Sequence, residues 1–165
     1  MSRDPNTIKL TWPALKDIVN RGDLHVLGRS AIQQLEYDSF CEAIKAEWVS
    51  IADYLLHSKF NIPFTVETLS SKKVVDRSSY NKSEVITKLL PNDFPYYFEV
   101  GIDHFIYWKL GGSLNFFEVE EVARNVMSDI NNKYIDYLVY INPAHLKSIP
   151  EIEHAHVLLY EHKDI

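Results

Sequence analysis

The sequence predicts a single α+β domain in which a small antiparallel or mixed sheet packs against several helices. The chain has 165 residues, the length of one ordinary domain. Hydrophobic residues make up 46% and aromatic residues 13%, which is enough to build a sizeable core. Helical and strand-like patterns are interspersed along the chain. We expect residues 1–10 to form a loose lead-in and residues 11–165 to form the domain.

Two helices are predicted in the first third of the chain. Thr11 is placed to cap a short helix over residues 12–20, which Gly22 would end. Apolar residues then recur at spacings of three to five, which predicts one long helix over residues 32–57 that packs centrally. The apolar stripe of this helix consists of Leu35, Phe40, Ile44, Trp48, Ile51 and Leu55.

The middle of the chain has weaker patterns. Residues 64–69 alternate and are compatible with a strand, whereas residues 70–81 are polar and indicate a loop. Ser83 is placed to cap a short helix over residues 84–90. The two prolines in the segment 91–95 then predict a turn.

Three strands are predicted in the second half, over residues 101–108, 134–141 and 154–160, because aromatic and β-branched residues dominate there. Residues 144–150 are expected to form a turn. Asn115 is the predicted N-cap of the helix between the first two strands. The residues that this helix would bury are Val119, Val122, Val126 and Ile130.

Charge and cysteine content exclude some classes of function. The formal net charge of −6 argues against binding to nucleic acid or to an anionic membrane surface, because both partners need a positive field. Cys41 is the single cysteine, so an intrachain disulfide cannot form. We find no apolar stretch typical of a signal peptide and therefore predict a cytoplasmic protein.

The candidate site is a group of histidines on two predicted strands. Side chains alternate across a strand, so His104 and Trp108 share one face of their strand, and His154 and His156 share one face of theirs. The last two imidazoles would lie about 7 Å apart along the strand. If the two strands are neighbours, His104 joins the pair.

A metal centre is one interpretation of this cluster. Two histidines in a His-x-His pair plus a third ligand resemble a zinc site with an open position, as in a zinc-dependent hydrolase. His104, His145 and Asp93 are equally plausible as the third ligand. In this interpretation the cofactor is zinc, bound by His154, His156 and His104.

Recognition of an anion is the interpretation that we favour. Phosphate would be held by side-chain donors while an aromatic ring packs on a sugar or base. The predicted donors are His104, His154, His156, Asn142 and Arg77, and the aromatic ring is that of Trp108. In a sharper version a histidine is the nucleophile of a phosphoryl transfer. The segment 154–158 resembles the histidine-triad motif, but Leu158 stands where that motif has its third histidine.

Two further interpretations stay open. The histidines can be structural groups whose hydrogen bonds are satisfied within the core. Separately, Gly28-Arg29-Ser30 precedes a predicted helix, and helix N-termini bind anions. The segment is short, and an ordinary N-cap explains it well.

Several segments, in this order, resemble the fungal N-acetylglucosamine-induced protein family, also catalogued as a domain of unknown function. The resemblance covers roughly residues 24–161. The most specific segments are Leu89-Leu90-Pro91-Asn92-Asp93-Phe94-Pro95-Tyr96 and Ser148-x-Pro150-Glu151-Ile152-x-His154-x-His156-Val157. The motif positions are Asn92, Asp93, His104, Trp108, Asn142, His154 and His156.

The resemblance implies a cytoplasmic protein with a role in the metabolism of N-acetylglucosamine or in the response to it. It also implies a sugar phosphate or nucleotide sugar as the small-molecule partner. Together with the argument from strand faces, the resemblance indicates His104, His154 and His156 as catalytic candidates. The predicted ligand-binding residues are Arg77, Asn92, Asp93, Trp108 and Asn142. The alternatives are a non-catalytic protein-interaction module and a zinc-dependent hydrolase.

Overall fold

The computed structural model describes residues 5–80, 83–129 and 133–161. Within this part, four α-helices and two antiparallel sheets form a mixed α+β fold, as the sequence predicts. The helices are α1 (Trp12–Arg21), α2 (Ala31–Glu47), α3 (Ile51–Phe60) and α4 (Phe116–Asp129). The strands are β1 (Phe64–Val66), β2 (Lys73–Val75), β3 (Ile86–Pro91), β4 (Ile102–Leu110), β5 (Tyr134–Tyr140) and β6 (Glu153–Glu161). None of the helices in the described ranges has the length and apolar character needed to cross a membrane.

The larger sheet has the strand order β3-β4-β6-β5, and each neighbouring pair is antiparallel. The last strand of the chain is thus inserted between β4 and β5. Because both of its edges are paired, β6 is the most deeply buried strand, and Ala155, Val157, Leu158 and Leu159 have no solvent exposure. β1 and β2 form a separate two-stranded sheet.

Helices cover both faces of the larger sheet. On one face, Val119 and Ala123 of α4 pack against the strand residues Tyr107, Val139 and Val157. On the other face, α1 packs against β5 and β6, while α3 packs against β4. The alternation of side chains along β6 therefore sends its odd-numbered residues towards α4 and its histidines towards α1 and α3.

The single long helix predicted over residues 32–57 is wrong, because the chain breaks between α2 and α3. Trp48 is extended (φ −115°, ψ 150°) and bridges to Lys73 of β2. The Ser50 hydroxyl then accepts a hydrogen bond from the Asp53 N–H and caps α3. Leu35, predicted to lie in the buried stripe, is 67% exposed. The break turns α3 towards the sheet and lets Trp48 enter the core.

The helix predicted over residues 84–90 is also wrong, because Ile86–Pro91 forms the edge strand β3. Its register places Leu89 opposite Tyr107 and Leu90 opposite Ile106. Pairing with β4 satisfies the backbone and outweighs the local helix signal. The predicted polar loop over residues 70–81 likewise contains β2, while residues 81 and 82 lie outside the described ranges.

The remaining local predictions have mixed outcomes. Asn115 Oδ1 accepts a hydrogen bond from the Phe117 N–H at 2.9 Å at the start of α4. The predicted burial of Ile130 lies outside the described residues. Thr11 precedes α1 without a side-chain capping bond; the Trp12 N–H instead donates to Glu99 at 2.8 Å. In the expected lead-in, Leu10 bridges to Phe98.

Candidate functional site

A cavity of about 70 Å³ lies between the histidine face of the sheet, α2 and α3, and it is partly open to solvent. β6 contributes His154 and His156 to its wall, and β4 contributes Trp108. The other polar residues that line it are Arg29, Tyr37, Lys59, Asn92, Asp93, Tyr96, Asn142 and Ser148. The cavity therefore combines charged, neutral polar and aromatic groups on one surface.

Six of the eight predicted site residues line this cavity. They are Asn92, Asp93, Trp108, Asn142, His154 and His156. His104 does not belong to the lining, because its ring lies behind His156 and bonds to it. Arg77 does not belong to the lining either, and it pairs with Asp53. Six of the predicted residues therefore lie together in one wall, while His104 and Arg77 lie elsewhere in the fold.

His104 and His156 are joined by a hydrogen bond of 2.8 Å between His104 Nε2 and His156 Nδ1. Its polarity follows from the backbone, because the Tyr96 N–H can only donate, and it donates to His104 Nδ1 at 3.2 Å. His104 therefore carries its proton on Nε2 and donates to His156. His156 in turn carries its proton on Nε2. Two neighbouring histidines thus have defined tautomers.

The next group in this chain of hydrogen bonds is Asn142, whose Nδ2 lies 3.0 Å from His156 Nε2. Because His156 carries its proton on that nitrogen, an N–H facing it from Asn142 would be repulsive. The polarity set by the Tyr96 backbone therefore requires the carbonyl oxygen of the Asn142 amide to face the ring. Asn142 is buried and lines the cavity, so it connects the histidine pair to the site.

His154 has the opposite tautomer. Its Nδ1 lies 2.8 Å from the carbonyl oxygen of Ile152, which can only accept, so Nδ1 carries the proton. Nε2 is then left with a lone pair. Among the described residues, no group forms a hydrogen bond with Nε2. The ring lies against Trp108 with a centroid separation of 5.2 Å and lines the cavity.

Burial keeps the imidazoles of His104 and His154 neutral. It lowers the pKa of His104 from 6.5 to about 3, with a smaller contribution from the charge of Arg29. Burial also lowers the pKa of His154, against the opposing effect of its hydrogen bond to Ile152. Near pH 7 neither group is a cation. Any contact of His104 or His154 with a phosphate at that pH would therefore be that of a neutral imidazole.

The cations of the cavity are Arg29 and Lys59. Neither was among the ligand-binding residues predicted from the sequence. Arg29 Nε donates to the Phe94 carbonyl at 3.0 Å. Its guanidinium carbon lies 4.0 Å from the centre of the Tyr37 ring, a cation–π contact that fixes its plane. Lys59, near the C-terminal end of α3, forms an ion pair with Asp93. These two side chains supply the positive field that an anion needs.

The segment 91–96 shapes the mouth of the cavity. The side-chain Oδ1 of Asn92 accepts a hydrogen bond from the Phe94 N–H at 3.0 Å. The backbone N–H of Asn92 donates to the backbone carbonyl of His104 at 2.8 Å. This turn places Asp93 beside Lys59 and Phe94 against Phe40, at a centroid separation of 4.7 Å. Asn92 and Asp93 therefore shape this loop, and their ligand-binding role stays a prediction.

Arg77 and Asp53 form a separate structural cluster. Asp53 is buried, and its Oδ1 accepts hydrogen bonds from Arg77 Nη1 at 2.8 Å and from the Val75 N–H at 3.1 Å. Burial by itself raises the pKa of Asp53, but the bonds from Ser50, Arg77 and Val75 outweigh it and lower the pKa. Asp53 thus ties α3 to β2 through Val75 and to the segment that follows β2 through Arg77.

The arrangement of the three histidines differs from that of a metal centre. Nε2 of His104 and Nδ1 of His156 bond to each other, so these nitrogens do not converge on a common point with His154. Within the described ranges, no group of three or more histidine, cysteine or acidic residues has positions that could hold a metal ion. The His154 and His156 ring centres are 6.0 Å apart.

The sequence carried a partial signal for the residues that were missed. Arg29 belongs to Gly28-Arg29-Ser30, a segment that fits an ordinary N-cap and also precedes a helix, where anions can bind. Ser30 forms the capping box with Gln33, and Arg29 lines the cavity. Lys59 lies in a helix without any local motif, so only the packing of α3 against the sheet reveals it.

Comparison with known proteins agrees with the family resemblance seen in the motifs. Residues 11–160 match the family model described as protein of unknown function (DUF3605). N-acetylglucosamine-induced protein 1 of Candida albicans is 26% identical over 190 residues, covering 99% of this chain and 73% of the relative. A solved structure titled "Crystal Structure of HTC1" matches with a TM-score of 0.57 and 22% identity, over 93% of this chain and 86% of that chain. The last match supports the fold alone.

Proposed function

This chain belongs to the family of proteins of unknown function DUF3605, and we propose that it binds a phosphorylated or nucleotide-linked amino sugar in the histidine-lined cavity. The observation that carries the proposal is that the lining of the cavity combines cations with neutral polar groups. Arg29 and Lys59 are the cations, with Asp93 paired to Lys59, and His154, His156 and Asn142 are among the neutral polar groups. A ligand with one anionic group and several hydroxyl or amide groups complements both.

Arg29 and Lys59, the cations of the cavity lining, suit a phosphate. Arginine presents a planar set of donors that matches phosphate oxygens, and lysine adds a compact charge. Arg29 also sits immediately before the capping residue Ser30 of α2, where the positive end of the helix dipole adds to the field. In this proposal the phosphate competes with Asp93 for Lys59, because both are anions that approach the same ammonium group.

The neutral polar and aromatic groups of the cavity lining suit a sugar. Sugar hydroxyl and acetamido groups both donate and accept hydrogen bonds, and the apolar face of a sugar ring packs on an aromatic surface. Trp108 and Tyr96 supply aromatic rings along the cavity. The name of the Candida albicans relative records induction by N-acetylglucosamine, which supports an amino sugar as the ligand class. A role in N-acetylglucosamine metabolism or in the response to it is part of the same proposal.

The test is a thermal-unfolding panel on tag-free protein with N-acetylglucosamine, its 6-phosphate, UDP-N-acetylglucosamine, inorganic phosphate and zinc. A ligand present at 100 times its Kd stabilises the native state by about 2.7 kcal/mol, which raises the Tm by roughly 5–10 °C for a domain of this size. We expect the phosphorylated sugars to shift the Tm more than the unphosphorylated sugar. A shift from zinc alone would instead favour the hydrolase alternative.

The matched pair of variants is Arg29→Gln and Arg124→Gln. Arg29 lines the cavity, whereas Arg124 lies on α4 and forms surface contacts with Glu120 and Tyr137. We expect Arg29→Gln to weaken binding of the 6-phosphate about tenfold to hundredfold, the value of one charge-assisted hydrogen bond, and Arg124→Gln to leave it unchanged. Equal affinity in wild type and Arg29→Gln, or no ligand in the panel that shifts the Tm, would refute the proposal. The latter result would favour the interaction-module alternative.

A further inference from the structure

The two histidines that line the cavity are not equivalent, although the sequence places them two residues apart on one face of β6. His156 belongs to the chain of hydrogen bonds that begins at the Tyr96 N–H and ends at Asn142. His154 belongs to no such chain, because its Nδ1–H donates to the backbone carbonyl of Ile152. Each ring therefore presents a different group to its surroundings, and the backbone fixes which one.

At His154 the group that remains is the lone pair of Nε2. The ring is 5% exposed and lines the cavity, with Trp108 as its neighbour across the β4–β6 register. No described residue donates to Nε2. An acceptor in the wall of a partly open cavity is accessible to a ligand donor, and an acceptor that loses water on ligand binding without a replacement carries a desolvation cost.

We propose that His154 Nε2 accepts a hydrogen bond from a hydroxyl or amide N–H of the ligand, and so selects compounds that place a donor at that point. This deepens the proposed function and rests on it: the sugar contacts His154, while the phosphate lies away from it on Arg29 and Lys59. The ligand class that fits is a hydroxylated, phosphorylated compound bound with its sugar ring against β6. His154 is a specificity-determining residue.

The opposite arrangement, with the phosphate on His154, conflicts with the local chemistry. A phosphate oxygen is an acceptor, and the only proton of neutral His154 is already donated to Ile152. Burial disfavours a second proton, since it lowers the pKa of this imidazole, and the nearby Lys147 charge acts in the same direction while Glu153 opposes it. An anion against Nε2 would therefore meet a lone pair.

The first part of the experiment reads the tautomer directly. Long-range ¹H–¹⁵N correlation spectra of the histidine side chains at pH 7.5, assigned by comparison with His154→Phe, report which ring nitrogen is protonated. We expect His154 to be neutral with its proton on Nδ1, and His104 and His156 to be neutral with the proton on Nε2. A proton on His154 Nε2, or an imidazolium, would overturn the proposal whatever the protein binds.

The second part measures affinity for two probes, N-acetylglucosamine 6-phosphate and inorganic phosphate. His154→Phe keeps an aromatic ring against Trp108 but removes the acceptor. We expect it to weaken binding of the sugar phosphate about tenfold to hundredfold and to leave inorganic phosphate unchanged, whereas Arg29→Gln weakens both. Unchanged binding of the sugar phosphate in His154→Phe would overturn this proposal alone. If wild type binds neither these two probes nor UDP-N-acetylglucosamine, the proposed function is overturned as well.

Discussion

Replacement of Asp53 by alanine is predicted to be the most destabilising single change outside the apolar core. The carboxylate is buried and receives three donors, from the Ser50 hydroxyl, the Val75 N–H and Arg77. Its loss leaves the Val75 N–H without its acceptor, while Arg77 is 46% exposed and regains water. Hydrogen bonds to a charged group contribute about 1.5–3 kcal/mol each, and an orphaned buried donor costs about 1–3 kcal/mol. We expect a loss of about 3 kcal/mol.

The matched comparison is Arg77→Ala, which we expect to cost only about 1 kcal/mol, because Asp53 keeps its other two donors and the arginine is half exposed. Both values come from urea unfolding followed by tryptophan fluorescence, with the slope of the transition checked for two-state behaviour. An Asp53→Ala cost at or below that of Arg77→Ala would refute the reasoning. Loss of ligand binding in a stable Arg77→Ala protein would restore Arg77 as a binding residue.

Two further predictions concern the residues behind the site. Ser30→Ala should cost about 1 kcal/mol in urea unfolding, because its hydroxyl caps α2 at the Gln33 N–H; a cost near zero would contradict the cap. The free energy of unfolding should also fall as the pH is lowered from 6.5 towards 3. In this range the His104 side chain is protonated in the unfolded chain but stays neutral in the folded protein, where burial lowers its pKa to about 3. Unfolding free energies at pH 7.5, 6 and 5 test this: His104→Gln should flatten the slope, and a wild-type stability independent of pH would count against a neutral buried imidazole.

Local pattern was sufficient for the two strands that carry the histidines. The alternation along residues 101–108 and 154–160 predicted both strands and put His104 on the same face as Trp108, and His154 on the same face as His156. It failed where a short apolar run is equally compatible with a helix and an edge strand, as at β3. The helix break at Trp48 was visible in part, since Ser50 and Asp53 have the spacing of a cap.

The sequence by itself determined the α+β class, the family and the face of the sheet that carries the histidines. Only the tertiary structure decided which groups meet there. Because β6 pairs with β4, His156 lies within hydrogen-bond distance of His104, and the position of α3 places Lys59 in an ion pair with Asp93. The tautomers also depend on it. A strand pattern carries no information on which carbonyl or N–H faces an imidazole, yet those backbone contacts with Ile152 and Tyr96 fix where the protons lie.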